Sequence, residues 1–220
     1  MRTRFQSVDR MEFFLRAKRA CSRLGILPGT FNPPTTAHLA LARAALSHVD
    51  EVVFVLPHQF PHKPYSGASF AERIQMLRAA LADMPDFSIA ASQGGLFVEI
   101  AAECRASYGE NVRLAFLCGR DAAQRIVGWD YGRPGAIREM LSRFDLLVAA
   151  RGGEYLAPPE LRPAIRQLAL SGDFDEVSST EVRRRIARGE PWQHLVPEPI
   201  REPAARIYGT TAPYLPPEAG

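Results

Sequence analysis

Two patterns of apolar and polar positions alternate along the chain: short apolar runs and longer segments of helical periodicity. The short runs are rich in Val, Ile, Leu and Phe and predict buried strands over 24–28, 51–56, 87–91, 112–118 and 144–149. Segments whose apolar residues recur three and four positions apart predict helices over 37–47, 69–81, 96–107, 122–127, 136–142 and 198–207. Strands that alternate with helices in this way indicate one α/β domain, a Rossmann-like doubly wound fold with a mainly parallel sheet.

The two ends of the chain and the interior segment 156–171 lie outside this alternation. Met11, Phe13, Phe14 and Leu15 stand among Arg and Lys, and this amphipathic pattern predicts a short helix over 8–20. Residues 156–171 also carry a helical pattern, next to a pair of prolines. We therefore expect a helical N-terminal extension over 1–23, a single domain over 24–208 and a C-terminal tail over 209–220.

A loop joins the first predicted strand to the first predicted helix. Pro28-Gly29 ends the strand, a turn-rich stretch follows, and the helix opens near His38. A strand, a loop and a helix start in this order direct backbone N–H groups toward one point, which suits an anionic phosphate. Thr35, Thr36 and His38 add side-chain donors beside those amides. An ordinary strand-to-helix connection with a threonine N-cap explains the same spacing.

A second segment with similar chemistry lies near the C-terminus. Ser178-Ser179-Thr180 is expected to cap a helix that runs to about 188, with Glu181 and Arg183 in its first turn. Free N–H donors, the positive end of a helix and a guanidinium group together suit phosphate oxygens. A capping box by itself would also explain the Ser and the Glu.

Composition limits the classes of protein to consider. The 220 residues, 46% of them hydrophobic, can bury a substantial core. The net charge of +3 is too small to indicate a nucleic-acid-binding protein. No apolar run reaches membrane-spanning length and the N-terminus lacks a signal-peptide core, so we expect a cytoplasmic protein without a membrane partner. The three cysteines lack the spacing of a metal site or a disulfide framework; we expect no protein-held metal, and buried thiols at Cys104 and Cys118.

Both motifs resemble those of a known family. Gly29-Thr30-Phe31-Asn32-Pro33, followed by Thr35-x-x-His38, resembles the G-x-F-x-P-x-(H/T)-x-x-H signature of the nucleotidyltransferase superfamily, in particular of the nicotinate/nicotinamide mononucleotide adenylyltransferases. Segment 177–183 is similar to the family's I-S-S-T-x-I-R motif, and the resemblance extends from about 24 to 208. The common bacterial form has His at the place of Thr35 and Gly at the place of Ala37. Family members usually begin near their first strand, so 1–23 looks like an extension.

The resemblance implies an ATP site built from both motifs and from a Gly-x-Asp that follows the fourth predicted strand. The implied ATP-binding residues are Gly29, Thr30, Phe31, His38, Gly119, Asp121, Ser178, Ser179, Thr180 and Arg183. The catalytic donors would be His38, Thr35, Lys63 and Arg183, with Lys63 in a segment similar to the family's P-x-x-x-P-H-K-P. Asp121 could instead cap the helix that follows it, and Lys63 could be a solvated surface charge.

The resemblance also implies a site for an acceptor mononucleotide. Its implied residues are Asn32, Lys63, Gly95, Leu96, Phe97 and Trp129. Bacterial nicotinate-type enzymes usually carry Ser-Tyr-Thr where this chain has Gly95 and its neighbours. Unpaired backbone amides of 95–97 at a helix start would still bind a carboxylate, which favours nicotinate over nicotinamide mononucleotide. Trp129 would pack on the pyridine ring, although core burial is the commoner fate of a tryptophan.

The resemblance therefore implies that the chain transfers the adenylyl group of ATP to nicotinate mononucleotide, with Mg²⁺ carried by the ATP phosphates. Three alternatives stay open. One is a related nucleotidyltransferase that uses CTP or a different phosphate acceptor. Another is an enzyme that uses nicotinamide mononucleotide. The third, from a different class, is a non-catalytic nucleotide-binding regulatory protein.

Overall fold

Seven strands form one sheet in the computed structural model, which describes residues 10–58, 67–149 and 155–209. The strands are β1 (Glu12–Leu15), β2 (Arg23–Pro28), β3 (Glu51–Pro57), β4 (Phe87–Ser92), β5 (Arg113–Gly119), β6 (Asp145–Ala149) and β7 (Ile165–Leu168). The helices are α1 (Thr36–Ala45), α2 (Phe70–Ala80), α3 (Phe97–Tyr108), α4 (Arg120–Gly128), α5 (Ala136–Leu141), α6 (Ser179–Arg188) and α7 (Arg201–Gly209). The predicted α/β fold class is confirmed.

The strand order makes β2 the centre of the sheet. Across the sheet the strands run β1-β4-β3-β2-β5-β6-β7, and every neighbouring pair is parallel except β1 with β4. The chain therefore winds outward from β2 to β3 and β4, then returns to build β5 on the other side of β2. In open α/β sheets ligands bind at the carboxyl ends of the strands where the winding direction reverses, here β2 and β5.

Alternation within the central strands builds an apolar layer on each face of the sheet. Ile26 and Phe116 point into one buried cluster, and Leu27 and Leu117 point into the other. All seven residues of β3 are buried, as expected for a strand covered on both faces by helices. Apolar side chains cover the centre of the sheet on both faces. The loops at its carboxyl edge therefore start from well-packed strand ends.

The N-terminal extension does not form the predicted helix. Among its described residues, β1 pairs antiparallel with the edge strand β4, with a register irregularity between Phe13 and Leu15. Phe13 packs against one apolar cluster of the sheet, whereas Phe14 and Leu15 pack against the other. The open edge of β4 and the apolar layers on both faces bind this segment as a strand, and this tertiary pairing overrides its helical periodicity.

The helical pattern over 156–171 does not correspond to an α-helix. The structure has a short 3₁₀ helix over Pro159–Ala164, followed directly by β7. Pro163 cannot donate a backbone hydrogen bond inside a longer α-helix, and the exposed edge of β6 offers a partner for the residues after it. Two further predictions concern residues outside the described part of the chain: Lys63 and the C-terminal tail beyond 209. In the described part, no helix is long and apolar enough to cross a membrane.

Candidate active site

The loop between β2 and α1 leaves the sheet at its carboxyl edge. Gly29 N–H donates to the Val55 carbonyl at 3.0 Å, which extends the pairing of β2 with β3 by one residue. Phe31 then adopts a positive φ of 47°, although its side chain is buried. A non-glycine residue in this conformation costs roughly 1–3 kcal/mol, so the surrounding packing must hold it there.

The Phe31 ring provides that packing. It lies 5.5 Å from the Phe54 ring and 5.2 Å from the His38 imidazole, edge to face in the second case. A Cβ atom at Gly29 would come within 3.0 Å of the Phe31 ring, which explains the glycine at this position. Phe31 therefore packs against the His38 ring, and Gly29 leaves the room that the Phe31 ring needs. Both residues contribute to the shape of the loop.

His38 has a fixed hydrogen-bonding pattern at its inner nitrogen. Its Nδ1 atom lies 3.0 Å from the Thr35 backbone N and 2.7 Å from Thr35 Oγ1. An amide N–H can only donate, so Nδ1 must accept and the proton of the neutral ring must lie on Nε2. Thr35 is completely buried, and its hydroxyl contacts His38. Thr35 thus acts on the tautomer and orientation of His38.

The second motif meets the first directly. Ser178 caps α6 by accepting the Glu181 N–H at 3.1 Å, as the sequence predicts. Ser179 Oγ donates to the Pro33 carbonyl at 2.7 Å, and Arg183 donates to the Asn32 carbonyl at 2.5 Å. Segments separated by about 150 residues are therefore bonded into one surface, with the N-terminus of α6 facing the loop before α1.

Glu181 pairs with two of the arginines of α6. It accepts hydrogen bonds from Arg184 at 2.7 Å and from Arg185 at 2.5 Å, and these lower the pKa of its carboxyl group to about 2. The carboxylate therefore stays ionised at neutral pH and holds two guanidinium groups on its own side of the helix. Arg183, which points to the Asn32 carbonyl, is the guanidinium of this run that contacts the loop.

Asn32 occupies a buried position under the loop. Its Oδ1 atom accepts from the Ala68 N–H at 3.1 Å and from the Tyr208 hydroxyl at 2.6 Å. The side-chain oxygen thus joins the loop to the start of α2 and to the end of α7. This arrangement gives Asn32 an architectural role in the loop, beside the acceptor contact that the resemblance implies.

The Gly-x-Asp segment lies at the carboxyl end of β5, next to β2. Gly119 is both the last residue of β5 and the N-cap of α4, so the alternative in which Asp121 caps this helix is wrong. The Asp121 side chain is 83% exposed and lies 3.8 Å from Arg120 Nε. An exposed carboxylate at this edge can accept hydrogen bonds from a bound ligand.

Trp129 does not take part in the core. Its side chain is 63% exposed and lines an open cavity of ≈ 590 Å³ together with Asp121, Gln124, Arg125 and Gly128. A cavity of this size accommodates a small ligand, and an exposed indole offers a stacking face to an aromatic ring. A larger cavity of ≈ 720 Å³ lies between α1, α2 and the segment before α7. Of the predicted phosphate donors that the structure describes, Thr36 lines it, and the Thr36 hydroxyl donates to the Leu195 carbonyl at 3.2 Å.

The amides before α3 are already occupied by the chain itself. Glu99 accepts from the N–H groups of Gly95 and Leu96, both at 3.0 Å, so the premise of unpaired amides at these two residues is wrong. Phe97 stacks on Phe116 in the core at 4.4 Å. A Cβ atom at Gly94 would meet Glu99 Oε2 at 2.6 Å, which explains the glycine there.

A second carboxylate secures the other end of the same loop. Glu103, one turn further along α3, accepts from Gln93 N–H at 3.1 Å and from Gly94 N–H at 2.9 Å. Glu103 is buried, and its carboxylate accepts a third hydrogen bond from Ser92 Oγ at 2.9 Å. Four consecutive loop amides are thus paired with two carboxylates of one helix.

The sequence predictions missed three supporting residues. Arg73 is buried and donates to the Thr30 carbonyl at 2.9 Å. Glu103 and Tyr208 hold the loops described above. The spacing of Glu99 and Glu103, four apart on a helix that follows two glycines, is the one signal that could have revealed the loop contacts. Arg73 and Tyr208 carry no such signal, because their partners are distant in the chain.

The described residues contain no group of three His, Cys, Asp or Glu side chains that could hold a metal ion. The thiols expected to be buried, Cys104 and Cys118, are buried, and burial raises the pKa of Cys118 to about 12. That thiol stays protonated at neutral pH. The acidic groups beside the loops instead pair with backbone amides and arginines.

Comparison with known proteins places this geometry in a family. The model of the family described as cytidylyltransferase-like matches residues 26–185. A protein of Exiguobacterium sibiricum named "Probable nicotinate-nucleotide adenylyltransferase" is 31% identical over 188 residues, which cover 82% of this chain and 94% of that protein. A protein of Citrifermentans bemidjiense with the same name is 31% identical and covers 81% and 93% respectively.

Solved structures share the fold. The nicotinic acid mononucleotide adenylyltransferase of Plasmodium falciparum, complexed with NaAD, superposes with a TM-score of 0.67 at 15% identity and covers 86% of this chain and 98% of its own. The same protein complexed with APC superposes with a TM-score of 0.61 at 16% identity, with the same coverage. At these identities the likeness concerns the fold.

Proposed function

Since this chain belongs to the cytidylyltransferase-like family and is a nucleotidyltransferase, we propose that it transfers the adenylyl group of ATP to nicotinate mononucleotide in NAD biosynthesis. The products would be the deamido dinucleotide and pyrophosphate. The two relatives described above carry the name of this activity, and the match extends over more than nine tenths of the length of each.

One observation carries the proposal: the two phosphate-binding motifs are bonded to each other. Arg183 and Ser179 of α6 donate to the carbonyls of Asn32 and Pro33, within the loop that leads to His38. This joins two helix N-termini, a guanidinium and an imidazole at the carboxyl edge of β2. Such a set of donors suits a triphosphate, whose charge is spread over many oxygens.

The reaction needs no nucleophile from the protein. A phosphate oxygen of the mononucleotide attacks the α-phosphorus of ATP, and the bond from that phosphorus to the bridging oxygen of pyrophosphate breaks. The protein contributes positioning and stabilisation of the charge that develops on the phosphoryl oxygens. We propose that His38 donates from Nε2 and that Arg183 binds the departing pyrophosphate. The Ser178–Thr180 helix start would bind the same end of ATP.

Mg²⁺ belongs to the proposed reaction as a companion of ATP. Its preferred ligands are oxygens, and it retains several waters while it binds one or two carboxylates and substrate phosphates. The described donors fit that mode, because Asp121 is exposed at the edge of the sheet and no protein cage is needed. Bound there, the ion would neutralise charge on the phosphates.

The acceptor is proposed to lie between α4 and the loop before α3. Trp129 would stack on the pyridine ring, and Lys63, outside the described residues, would bind the acceptor phosphate. Because Glu99 occupies the amides of Gly95 and Leu96, a carboxylate that approaches this loop must displace it or bind beside it. The preference for nicotinate therefore rests on the relatives.

A pyrophosphate-release assay tests the proposal. Purified protein with Mg²⁺ would be supplied with ATP or CTP and with nicotinate mononucleotide, nicotinamide mononucleotide or phosphopantetheine as acceptor. We expect turnover with ATP, and the highest kcat/KM with nicotinate mononucleotide. Turnover with CTP alone, or with phosphopantetheine alone, would assign a different transferase of the superfamily. Nucleotide binding without pyrophosphate release would indicate a regulatory protein.

A further inference from the structure

The outward side of α4 forms one wall of the cavity that contains Trp129. Ala123 and Ile126 pack on the apolar core, so the opposite side of the helix turns away from it. The residues of that opposite side that line the cavity are Asp121, Gln124, Arg125 and Gly128. Trp129 follows directly as the C-cap residue, four positions after Arg125. The end of α4 therefore presents one guanidinium and one indole to the same cavity.

Arg125 differs from neighbouring arginines in its ion pairing. Arg120 Nε lies 3.8 Å from the Asp121 carboxylate, and Arg133 pairs with Glu139. None of the ion pairs among the described residues involves Arg125. Its side chain is exposed at the cavity wall, so its positive charge is available to an anion that enters.

The loop before α3, on the other side of the proposed acceptor space, carries the opposite charge. Glu99 is exposed and accepts hydrogen bonds from the amides of Gly95 and Leu96. Its carboxylate repels the carboxylate of a nicotinate group and has no such effect on a neutral carboxamide. A preference for nicotinate therefore needs a compensating positive charge from another part of the site.

We propose that Arg125 supplies this charge and determines the preference for nicotinate, by binding the pyridine carboxylate while Trp129 stacks on the ring. A planar guanidinium can donate to both oxygens of a carboxylate at once. A carboxamide offers one oxygen, and its NH₂ group can only donate. This inference rests on the proposed function, in which the acceptor lies between α4 and the loop before α3.

Steady-state kinetics of Arg125→Gln and Arg125→Lys with both mononucleotides test the proposal. The measured quantity is the ratio of kcat/KM for nicotinate mononucleotide to kcat/KM for nicotinamide mononucleotide. We expect Arg125→Gln to lower this ratio about fivefold, the upper end of what an exposed ion pair contributes. Arg125→Lys keeps the charge but loses the planar fork, so it should lower the ratio by less. The KM for ATP should stay near the wild-type value in both variants.

Arg138→Gln is the matched control. Arg138 is an exposed arginine of the next helix, α5, and does not line the cavity. The two Arg→Gln substitutions change the net charge of the protein equally, so a general electrostatic effect on an anionic substrate would appear in both. Added salt provides a second readout: it should lower the ratio in the wild-type protein and have little effect on it in Arg125→Gln.

Tryptophan fluorescence measures acceptor binding without turnover. The chain has two tryptophans, and because Trp192 is buried, a ligand that stacks on Trp129 is expected to quench the exposed indole. We expect Arg125→Gln to raise the Kd for nicotinate mononucleotide about fivefold and to leave the Kd for nicotinamide mononucleotide unchanged.

Three results would overturn the inference: equal changes of Kd for the two ligands, an unchanged kcat/KM ratio in Arg125→Gln, or the same fall of that ratio in Arg138→Gln. Failure of the proposed function looks different, because the wild-type protein would then release no pyrophosphate with nicotinate mononucleotide. The Kd comparison still decides the role of Arg125 in that case. A wild-type protein that binds neither mononucleotide contradicts both proposals.

Discussion

His38 and Thr35 form a unit in which one residue acts through the other. The Thr35 N–H and hydroxyl both approach His38 Nδ1, so the outer nitrogen of the imidazole carries the proton. The common form of the family's signature has His at the place of Thr35. In this chain the position is buried, and its hydroxyl serves the remaining imidazole.

Kinetics of single and double variants test this dependence. His38→Ala should lower kcat about 100-fold or more, as expected for the loss of a donor to developing charge. Thr35→Val keeps the volume and the amide but removes the hydroxyl, and should lower kcat about two- to tenfold, the equivalent of one hydrogen bond. Thr35→Ser should retain activity.

The double variant His38→Ala/Thr35→Val distinguishes positioning from direct contact. If Thr35 acts only through His38, the second substitution adds no further loss, because the group that it orients is gone. An undiminished additional loss in the double variant would show that Thr35 contacts the substrate itself. Long-range nitrogen–proton NMR of labelled histidine gives an independent readout, with the Nε2–H tautomer expected in the wild-type protein.

At the scale of elements, α3 sends two carboxylates back to the loop that precedes it. Glu103 is buried, and its removal would take away the hydrogen-bond partner of the amides of Gln93 and Gly94 and of Ser92 Oγ. Glu99 is exposed and can leave Gly95 and Leu96 for solvent at the modest cost of a helix cap. The inner carboxylate is thus structural, and the outer one is exchangeable.

Glu99→Gln tests whether the acceptor carboxylate approaches this loop. Two carboxylates about 4 Å apart repel by roughly 1 kcal/mol in water, which corresponds to about a fivefold change in affinity. Removing the charge should therefore raise kcat/KM for nicotinate mononucleotide about fivefold relative to nicotinamide mononucleotide. Glu72→Gln is the control, since Glu72 holds the same capping-box position at the start of α2. An unchanged ratio would place the acceptor carboxylate away from Gly95 and Leu96.

At the scale of the whole molecule, helix α7 packs against the loop between β2 and α1. Tyr208 near the end of α7 donates to Asn32 Oδ1 at 2.6 Å, across 176 residues of sequence. Both residues are buried, and α7 packs in the apolar cluster that also contains Ala68 and Met76. Helix α7 therefore stabilises the loop between β2 and α1 from its buried side.

Removal of the Tyr208 hydroxyl should lower the stability of the whole protein. Tyr208→Phe is expected to lower the free energy of unfolding by about 1 kcal/mol, the typical net contribution of a hydrogen bond. Chemical denaturation followed by fluorescence or circular dichroism measures it. Tyr131→Phe serves for comparison, because Tyr131 is exposed and its hydroxyl donates to the nearby Ile126 carbonyl. Equal losses in both variants would mean that the contact with Asn32 has no special weight.

The sequence by itself determined the alternation of strands and helices and the position of both phosphate motifs. The apolar residues of β3 and β5 would face water unless both faces of these strands were covered. Local hydrophobicity therefore predicts that the two strands are buried within the sheet. The cap at Ser178 is equally local, because its partner Glu181 stands three residues away. The alternation of elements and the cap are confirmed, and the phosphate-binding role of the two motifs stays a prediction.

Only the tertiary structure decided which groups meet across the chain. Segment 12–15 has a helical pattern, but the unpaired edge of β4 binds it as a strand. The amides of 95–96 look unpaired in the sequence, yet a helix places Glu99 one turn above them. The bonds of Arg183 to Asn32 and of Tyr208 to Asn32 depend on where the sheet carries each loop. Contacts of this kind arise from packing between distant segments, and no local pattern of residues specifies them.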